Sequence, residues 1–262
     1  MEIRFDGQVA ILTGAASGMG LLFAENFVSL GGSVVLCDVN GETLGAAVEK
    51  INALRAGAAY GVVCDVRDYT QIAHARDEAM RVYGRIDVAI PFAGGAELRM
   101  LGVSGKTELP DIPIEVFDWS IDVNLKGQIY LSHAVLGAMR EQRSGVILLV
   151  GSITGEEGSS GNIGYAASKS AAMNGLVKSI AQFGGKYGIR CCCVAPGPVL
   201  TRAAMANMTT LLGRAAEPQE LVDLFLVLAS DRAAFITGTT VLADGGRNLM
   251  TDKSFRRKEG TK

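Results

Sequence analysis

Histidine is nearly missing from this chain: there are two in 262 residues, His74 and His133. The side chain that most often moves protons near neutral pH is therefore scarce. Both copies fall in helix-like segments far from other catalytic candidates, where surface or packing roles are expected. A proton-moving reaction here needs another base. No apolar run approaches the roughly 20 residues of a membrane span. The opening "MEIRFDGQVAILTG" carries acidic residues and no long apolar stretch, so neither a signal peptide nor a membrane anchor is expected. Charge of one sign is not in excess: 25 Lys and Arg face 27 Asp and Glu, a net charge of -2, which gives no sign of a nucleic-acid-binding surface. The five cysteines, Cys37, Cys64, Cys191, Cys192 and Cys193, are odd in number and lack metal-like spacing. That argues against a disulfide framework and a zinc site. Each sits in or at the end of an apolar run, so small buried core residues in a reducing, cytoplasmic compartment are expected.

What is present is hydrophobic mass, 48% of the chain, enough for one large core. It comes as short apolar runs at 8–13, 33–37, 59–64, 86–90, 145–150, 189–195 and 239–243. Helix-like segments at 18–30, 41–56, 68–83, 115–142, 163–186 and 218–229 separate them. The runs are continuously apolar rather than alternating, which implies strands buried on both faces. Seven such strands with helices between them predict an α/β, doubly wound, Rossmann-type single domain around a parallel sheet. No linker or repeat interrupts residues 1–247. Two stretches break the rhythm, the Gly- and Pro-punctuated 95–114 and the Ala-, Met- and Thr-rich 200–216; long loops of this kind are usually functional or mobile. Residues 248–262, with Lys253, Arg256, Arg257, Lys258 and Lys262, are expected to form a solvated, disordered basic tail.

The first strand runs into "TGAASGMG" (13–20), which opens the first helix. Gly14 permits a tight turn there, and Gly18 and Gly20 allow close backbone approach. Free N–H groups and the helix dipole at such a turn favour a diphosphate. Asp38 ends the second strand, where a carboxylate accepts hydrogen bonds from both hydroxyls of an adenosine ribose and repels a 2′-phosphate. Neither Ser17 nor Val39 supplies a positive charge to hold that phosphate, so the sequence points to NAD rather than NADP. Asp65, closing the third strand, has two open roles: meeting the adenine edge or capping the next helix.

"GYAASKSAAM" (164–173) sets Tyr165 and Lys169 one helical turn apart on one face. A free phenol has a pKa of about 10 and is a poor base at neutral pH. A neighbouring ammonium group would favour its charged form. Ser152 follows the fifth strand, where parallel sheets present their sites. Taken alone it reads as a turn or cap residue.

"TGAASGMG", "CDV", "VNLKG", Ser152, "YAASK" and "PGPVLT" together resemble the short-chain dehydrogenase/reductases, in that order and spacing, from about residue 6 to 247. Ser152 lies thirteen positions before Tyr165, itself four before Lys169, as in the shorter, non-extended branch of that family. The resemblance implies that Tyr165 is the general acid/base. It implies that Ser152 binds the substrate oxygen and that Lys169 binds the nicotinamide ribose. Asn124 would bend its helix and hold a water linking Lys169 to solvent. The cofactor contacts it implies are Gly14, Ser17, Gly18, Met19 and Gly20; Asp38; Cys64, Asp65 and Val66; Ala93 and Gly94; Asn124, Tyr165 and Lys169; and Pro196, Gly197, Val199 and Thr201. Thr201 is similar to a threonine that contacts the cofactor carboxamide, although the turn around it also explains it. One position departs from the family: "PFAGG" places Phe92 where an asparagine is usual. That puts the local loop geometry in doubt, not the proton chemistry.

The expected activity is NAD-dependent, reversible hydride transfer between a secondary alcohol and its ketone. The alternatives are a catalytically weak NAD-binding sensor or scaffold of the same fold, or a different Rossmann enzyme such as a methyltransferase. Glu156, Glu157 and Asn162 are either contacts to a polyhydroxylated substrate or solvated loop residues. Met205 and Met208 are either an apolar lid or core packing. A sugar, polyol, cyclic ketone or steroid all fit. The resemblance also implies a homotetramer or homodimer paired through the helices near 115–142 and 163–186.

Overall fold

The computed structural model describes residues 3–250. Seven parallel strands form one sheet: β1 (Val9–Thr13), β2 (Ser33–Asp38), β3 (Ala59–Val63), β4 (Val88–Pro91), β5 (Gly145–Val150), β6 (Ile189–Pro196) and β7 (Thr239–Ala243). Their order is β3-β2-β1-β4-β5-β6-β7. The chain winds outward from β1 through β2 to β3, then crosses back to β4 and winds the other way. The turning point between β1 and β4 opens a crevice at the carboxyl ends of those strands. The fold is a single Rossmann-type domain, as the sequence predicts.

The unbroken apolar runs have a simple cause. Alternate side chains of each strand enter two separate cores, one on each face of the sheet. Ala10, Leu12, Val34, Leu36, Val88 and Ile90 join Phe23 and Phe27 of α1 (Gly18–Ser29) and Phe225 of α10 (Pro218–Ala229). Ile11, Val35, Cys37, Ala89, Ile147 and Leu149 join α3 (Tyr69–Tyr83), α6 (Gly127–Gln142) and α9 (Val177–Gly184). All five cysteines are free and buried in these layers, as expected. Each fully buried Leu or Ile contributes about 1.5–3 kcal/mol, so the doubled apolar strands dominate the fold's stability.

Helix ends follow local chemistry. α2 (Gly41–Leu54) starts where Asn40 accepts from Thr43 N–H at 3.1 Å. α3 starts where Asp68 accepts from Thr70 N–H at 2.8 Å. The cap there is Asp68, so Asp65 does not play that role. α10 begins with Pro218 and a reciprocal capping box between Glu217 and Glu220.

Two expected long helices are interrupted. The 115–142 segment is α5 (Ile114–Ile121), a wide π-turn (Asp122–Lys126) and then α6. The 163–186 segment is α8 (Ile163–Ala171), a second π-turn (Ala172–Leu176), α9 and a tight turn at Gly185–Tyr187. Such wide turns commonly sit at functional sites. The 95–114 loop is not featureless: it holds the single-turn α4 (Glu97–Met100) and a small cluster of Leu98, Ile112 and Val116. α7 (Thr154–Glu157) is likewise one turn.

At the carboxyl end the fold continues past the expected boundary. Asn248 N–H donates to Asp244 at 2.7 Å and Met250 is buried. The basic residues from Lys253 onward lie outside the described residues. Among the described residues, no helix is long and apolar enough to cross a membrane and no group of side chains is arranged to hold a metal ion.

Candidate active site

The crevice has two connected compartments. The first, about 530 Å³, lies over the carboxyl end of β1 and the start of α1. Gly14 turns there with φ +61°, and a Cβ on it would stand 2.6 Å from the Ala93 backbone. No side chain fits in that close contact between the β1 turn and the chain leaving β4. Gly18, at φ +56°, opens α1 with free space where a Cβ would project. The N–H groups of the first helical turn border this space, and no side chain caps them. The compartment is therefore a positively polarised cradle of bare backbone. Its wall contains Gly14, Ser17, Gly18, Met19, Gly20, Asp38, Cys64, Asp65, Val66, Ala93, Gly94 and Thr201, all predicted from the sequence.

Asp38 is held by two backbone donors, Ala16 N–H and Asn40 N–H, both at 3.1 Å. Asp65 pairs with Arg67, with the shortest contact at 2.6 Å. That guanidinium keeps the Asp65 carboxyl below its usual range. Burial pushes the Cys64 thiol up to about 12, which makes it an inert wall residue.

The second compartment, about 410 Å³, is lined by Ser152, Tyr165, Lys169, Pro196, Gly197, Val199 and Thr201, which the sequence singled out, and by Met205 and Met208. Both compartments share Met19, Phe92, Gly94, Arg99, Thr201 and Arg202. A molecule lying on the cradle would therefore reach Tyr165 without a break.

Three groups place Tyr165. α8 carries it one turn from Lys169. The Ser152 hydroxyl lies against its phenol and favours the ionised form. The buried Glu97 carboxylate accepts from the N–H of Gly164 at 2.9 Å and of Tyr165 at 3.2 Å, satisfying donors that α8 leaves unpaired at its start. Its other bond is from the Ser120 hydroxyl at 3.1 Å. The sequence carried no signal for Glu97, a charged residue in an apparent loop.

The electrostatics differ from the expectation. Burial is the largest influence on Tyr165 and raises its pKa. The influences that favour the phenolate come chiefly from the Ser152 hydroxyl and from the charges of Arg99 and Arg202; Glu97 opposes them. Lys169 is a weaker neighbour than its spacing suggested. Its ammonium nitrogen lies 5.4 Å from the ring centroid and donates to the Val150 carbonyl at 2.8 Å. Only 3% exposed, Lys169 has its own pKa pulled down to about 8 by desolvation.

Asn124 lines neither compartment. It is fully buried in the π-turn and clasps the backbone of Gly95, donating to its carbonyl at 3.0 Å and accepting from its N–H at 2.9 Å. Gln128, one turn on, donates to the Asn124 carbonyl at 2.7 Å and exchanges hydrogen bonds with both backbone groups of Val150. Of the loop residues, Asn162 reaches the cavity wall. Glu157 does not; it pairs with Arg247 at 3.0 Å, and Glu156 is exposed outside the crevice. His133 bonds the Tyr69 hydroxyl at 2.7 Å, away from the site.

Phe92 has a packing explanation. Its ring meets Phe225 edge-on at 5.0 Å and Phe23 at 6.0 Å, joining the core beneath the crevice. It also borders both compartments.

The chain matches the family model described as Enoyl-(Acyl carrier protein) reductase over residues 14–248. It is 35% identical to a 7alpha-hydroxysteroid dehydrogenase from Bacteroides fragilis, over 94% of this chain and 96% of that protein. It is 34% identical to a 3-oxoacyl-(acyl-carrier-protein) reductase from Thermotoga maritima, over 93% of this chain and 99% of that one. A solved structure of a 7 alpha-hydroxysteroid dehydrogenase complexed with NADH and 7-oxo glycochenodeoxycholic acid superposes with a TM-score of 0.82 at 30% identity, covering 93% of this chain and 95% of that chain.

Proposed function

Because the chain belongs to the short-chain dehydrogenase/reductase family, we propose that it is an NAD-dependent enzyme that transfers hydride reversibly between a secondary alcohol and the corresponding ketone. The observation that carries this reading is one continuous crevice with the bare glycine cradle at one end and Ser152, Tyr165 and Lys169 at the other. The cradle fits a dinucleotide: unpaired N–H groups face its diphosphate and Asp38 stands where an adenosine ribose would lie. Of the three arginines in this wall, Arg67, the one beside Asp65, is paired with that carboxylate. This supports NAD over NADP. A bound nicotinamide would supply the hydride-accepting carbon and, when oxidised, a positive charge.

In oxidation, Tyr165 removes the proton from the substrate hydroxyl; in reduction it returns one. Its buried setting raises its pKa, so the phenolate depends on nearby positive charge. Ser152 holds the substrate oxygen against the phenol. Lys169, anchored by Val150, orders the ribose side of the crevice. Asn124 and Gln128 fix the backbone on which Gly94 and Lys169 stand. The apolar wall of Val199, Met205 and Met208 suits a cyclic or steroid-like body better than a polyol, since Glu156 and Glu157 lie outside the cavity. A homotetramer and a cytoplasmic location complete the reading. The first follows from the family resemblance, through the helices near 115–142 and 163–186; the second is supported by five buried, unpaired thiols.

Tyr165→Phe tests the assignment. Turnover of ketones with NADH should fall by a factor on the order of 10³, while NADH affinity, read by fluorescence, stays the same. Undiminished turnover in that variant would refute the role given to the phenol.

A further inference from the structure

The wall of the second compartment has an unbalanced charge. It contains three cationic side chains, Arg99, Lys169 and Arg202, and no carboxylate. Carboxylates elsewhere around the crevice already have partners. Glu97 is taken by backbone N–H groups and Ser120, Glu157 by Arg247, and Asp65 by Arg67. Lys169 is turned onto the Val150 carbonyl.

That leaves two guanidinium groups facing the space in front of Tyr165. Arg99 leaves α4 and lies over the Gly95 backbone, so that a Cβ on Gly95 would come within 2.8 Å of its Nη2. Arg202 follows Thr201 on the opposite loop, with Nη2 3.5 Å from the Met205 sulfur. Among the described residues, no carboxylate pairs with either. Their charges are close enough to oppose one another and to act on the phenol. Both side chains are exposed and border both compartments, so water screens their repulsion; an anion placed between them would gain hydrogen bonds from each. Guanidinium forks suit a carboxylate because they bind it through paired, charge-assisted hydrogen bonds.

We propose that the crevice is built for an anionic substrate: a secondary alcohol or ketone carrying a carboxylate, which Arg99 and Arg202 hold while its oxygen faces Ser152 and Tyr165. The inference rests on the proposed reaction for the identity of the reacting oxygen. The carboxylate site stands on the two arginines. The rest of such a substrate is apolar, to match Met205, Met208 and Val199. The two arginines come from loops far apart in sequence, so a bound anion also ties those loops together over the reacting carbon.

Calorimetric titration of the NADH-saturated protein tests this. The probes are two matched pairs: 4-oxocyclohexanecarboxylate with its methyl ester, and an oxo-steroid carboxylic acid with its methyl ester. The expected result is that in at least one pair the acid binds about tenfold or more tightly than the ester. That preference should shrink at high salt. It should collapse in Arg99→Gln and Arg202→Gln, with NADH affinity held within about twofold. Equal binding of acids and esters overturns the inference, as does an acid preference that survives in the double variant. Loss of NADH affinity in step with the arginines overturns it too, by assigning them to the cofactor diphosphate. Turnover is read separately from NADH absorbance. Preferential acid binding with no NADH oxidation keeps this inference and removes the proposed hydride transfer. Oxidation of NADH by esters as efficient as by acids does the reverse.

Discussion

Lys169 illustrates how a single side chain sets function against stability. Its ammonium group is buried, and desolvation pulls its pKa from 10.5 down to about 8. Below pH 8 the folded protein must hold a charge that the unfolded chain holds more easily. The unfolded state binds more protons between pH 8 and 10.5, so the penalty fades as pH rises through that window. A displacement of this size corresponds to about 3 kcal/mol. Lys169→Met removes the charge and keeps the volume. The Val150 carbonyl that Lys169 leaves is still served by Gln128 at 3.2 Å. Urea unfolding should therefore show the variant more stable by about 2–3 kcal/mol at pH 7. The gain should shrink toward pH 10.5, while turnover is lost. A variant less stable than wild type at neutral pH would contradict the buried charge. The Tyr165–Lys169 spacing was legible in the sequence because a helix puts such residues on one face. The direction in which Lys169 turns was not, because it depends on a strand carbonyl nineteen positions away.

At the scale of one element, α8 shows what local pattern conceals. Its first turn is not capped by its own N-cap residue, Asn162. The acceptor comes from Glu97, in the loop after β4. This carboxylate does two opposed things: it steadies the helix that carries Tyr165, and it makes the phenol harder to ionise. Glu97→Gln separates them. The amide offers one acceptor where the carboxylate offered two and turns a donor toward N–H groups. Stability should drop by about 1–3 kcal/mol. Removing the negative charge should move the phenol's pKa down, so the pH limb for alcohol oxidation should shift to lower pH. A merely structural role would leave that limb where it is. The seven strands were readable because their apolar runs are continuous, and α10 because Pro218 and Glu220 mark its start. The π-turn at Ala172–Leu176 was not, since a widened turn leaves hydrophobic spacing nearly intact; at Asp122–Lys126 only the bend at Asn124 was foreseen, from the family resemblance. Glu97, Gln128, Arg99 and Arg202 share another reason: each gains its role from residues distant in the chain.

Across the whole molecule, the two faces of the sheet divide the work. The face bearing α3, α6 and α9 carries the two π-turns and, at its upper edge, Ser152, Tyr165 and Lys169. The opposite face, with α1, α2 and α10, carries the cradle and rests on a row of aromatic rings. Phe5 stacks on Phe27 at 4.3 Å, Phe27 on Phe23 at 5.5 Å, and Phe92 links Phe23 to Phe225. Phe92 thus joins the end of β4 to α1 and α10, directly beneath the glycine cradle. From sequence, Phe92 in place of the family's usual asparagine leaves the local loop geometry open and is the one feature that favours a catalytically weak protein of the same fold. The packing says otherwise, and Phe92→Asn decides between the two views. The amide would face phenylalanine rings with few polar partners and leave part of their contact area empty. The expected cost is about 2–4 kcal/mol. At about 2–4 °C per kcal/mol for a domain of this size, the melting temperature should fall by roughly 5–15 °C, with no gain in kcat at temperatures where the variant is folded. A Phe92→Leu variant, which keeps the site apolar, should lose less than half as much. If the asparagine instead raised kcat without lowering the melting temperature, Phe92 would be a functional loss rather than a strut of this core.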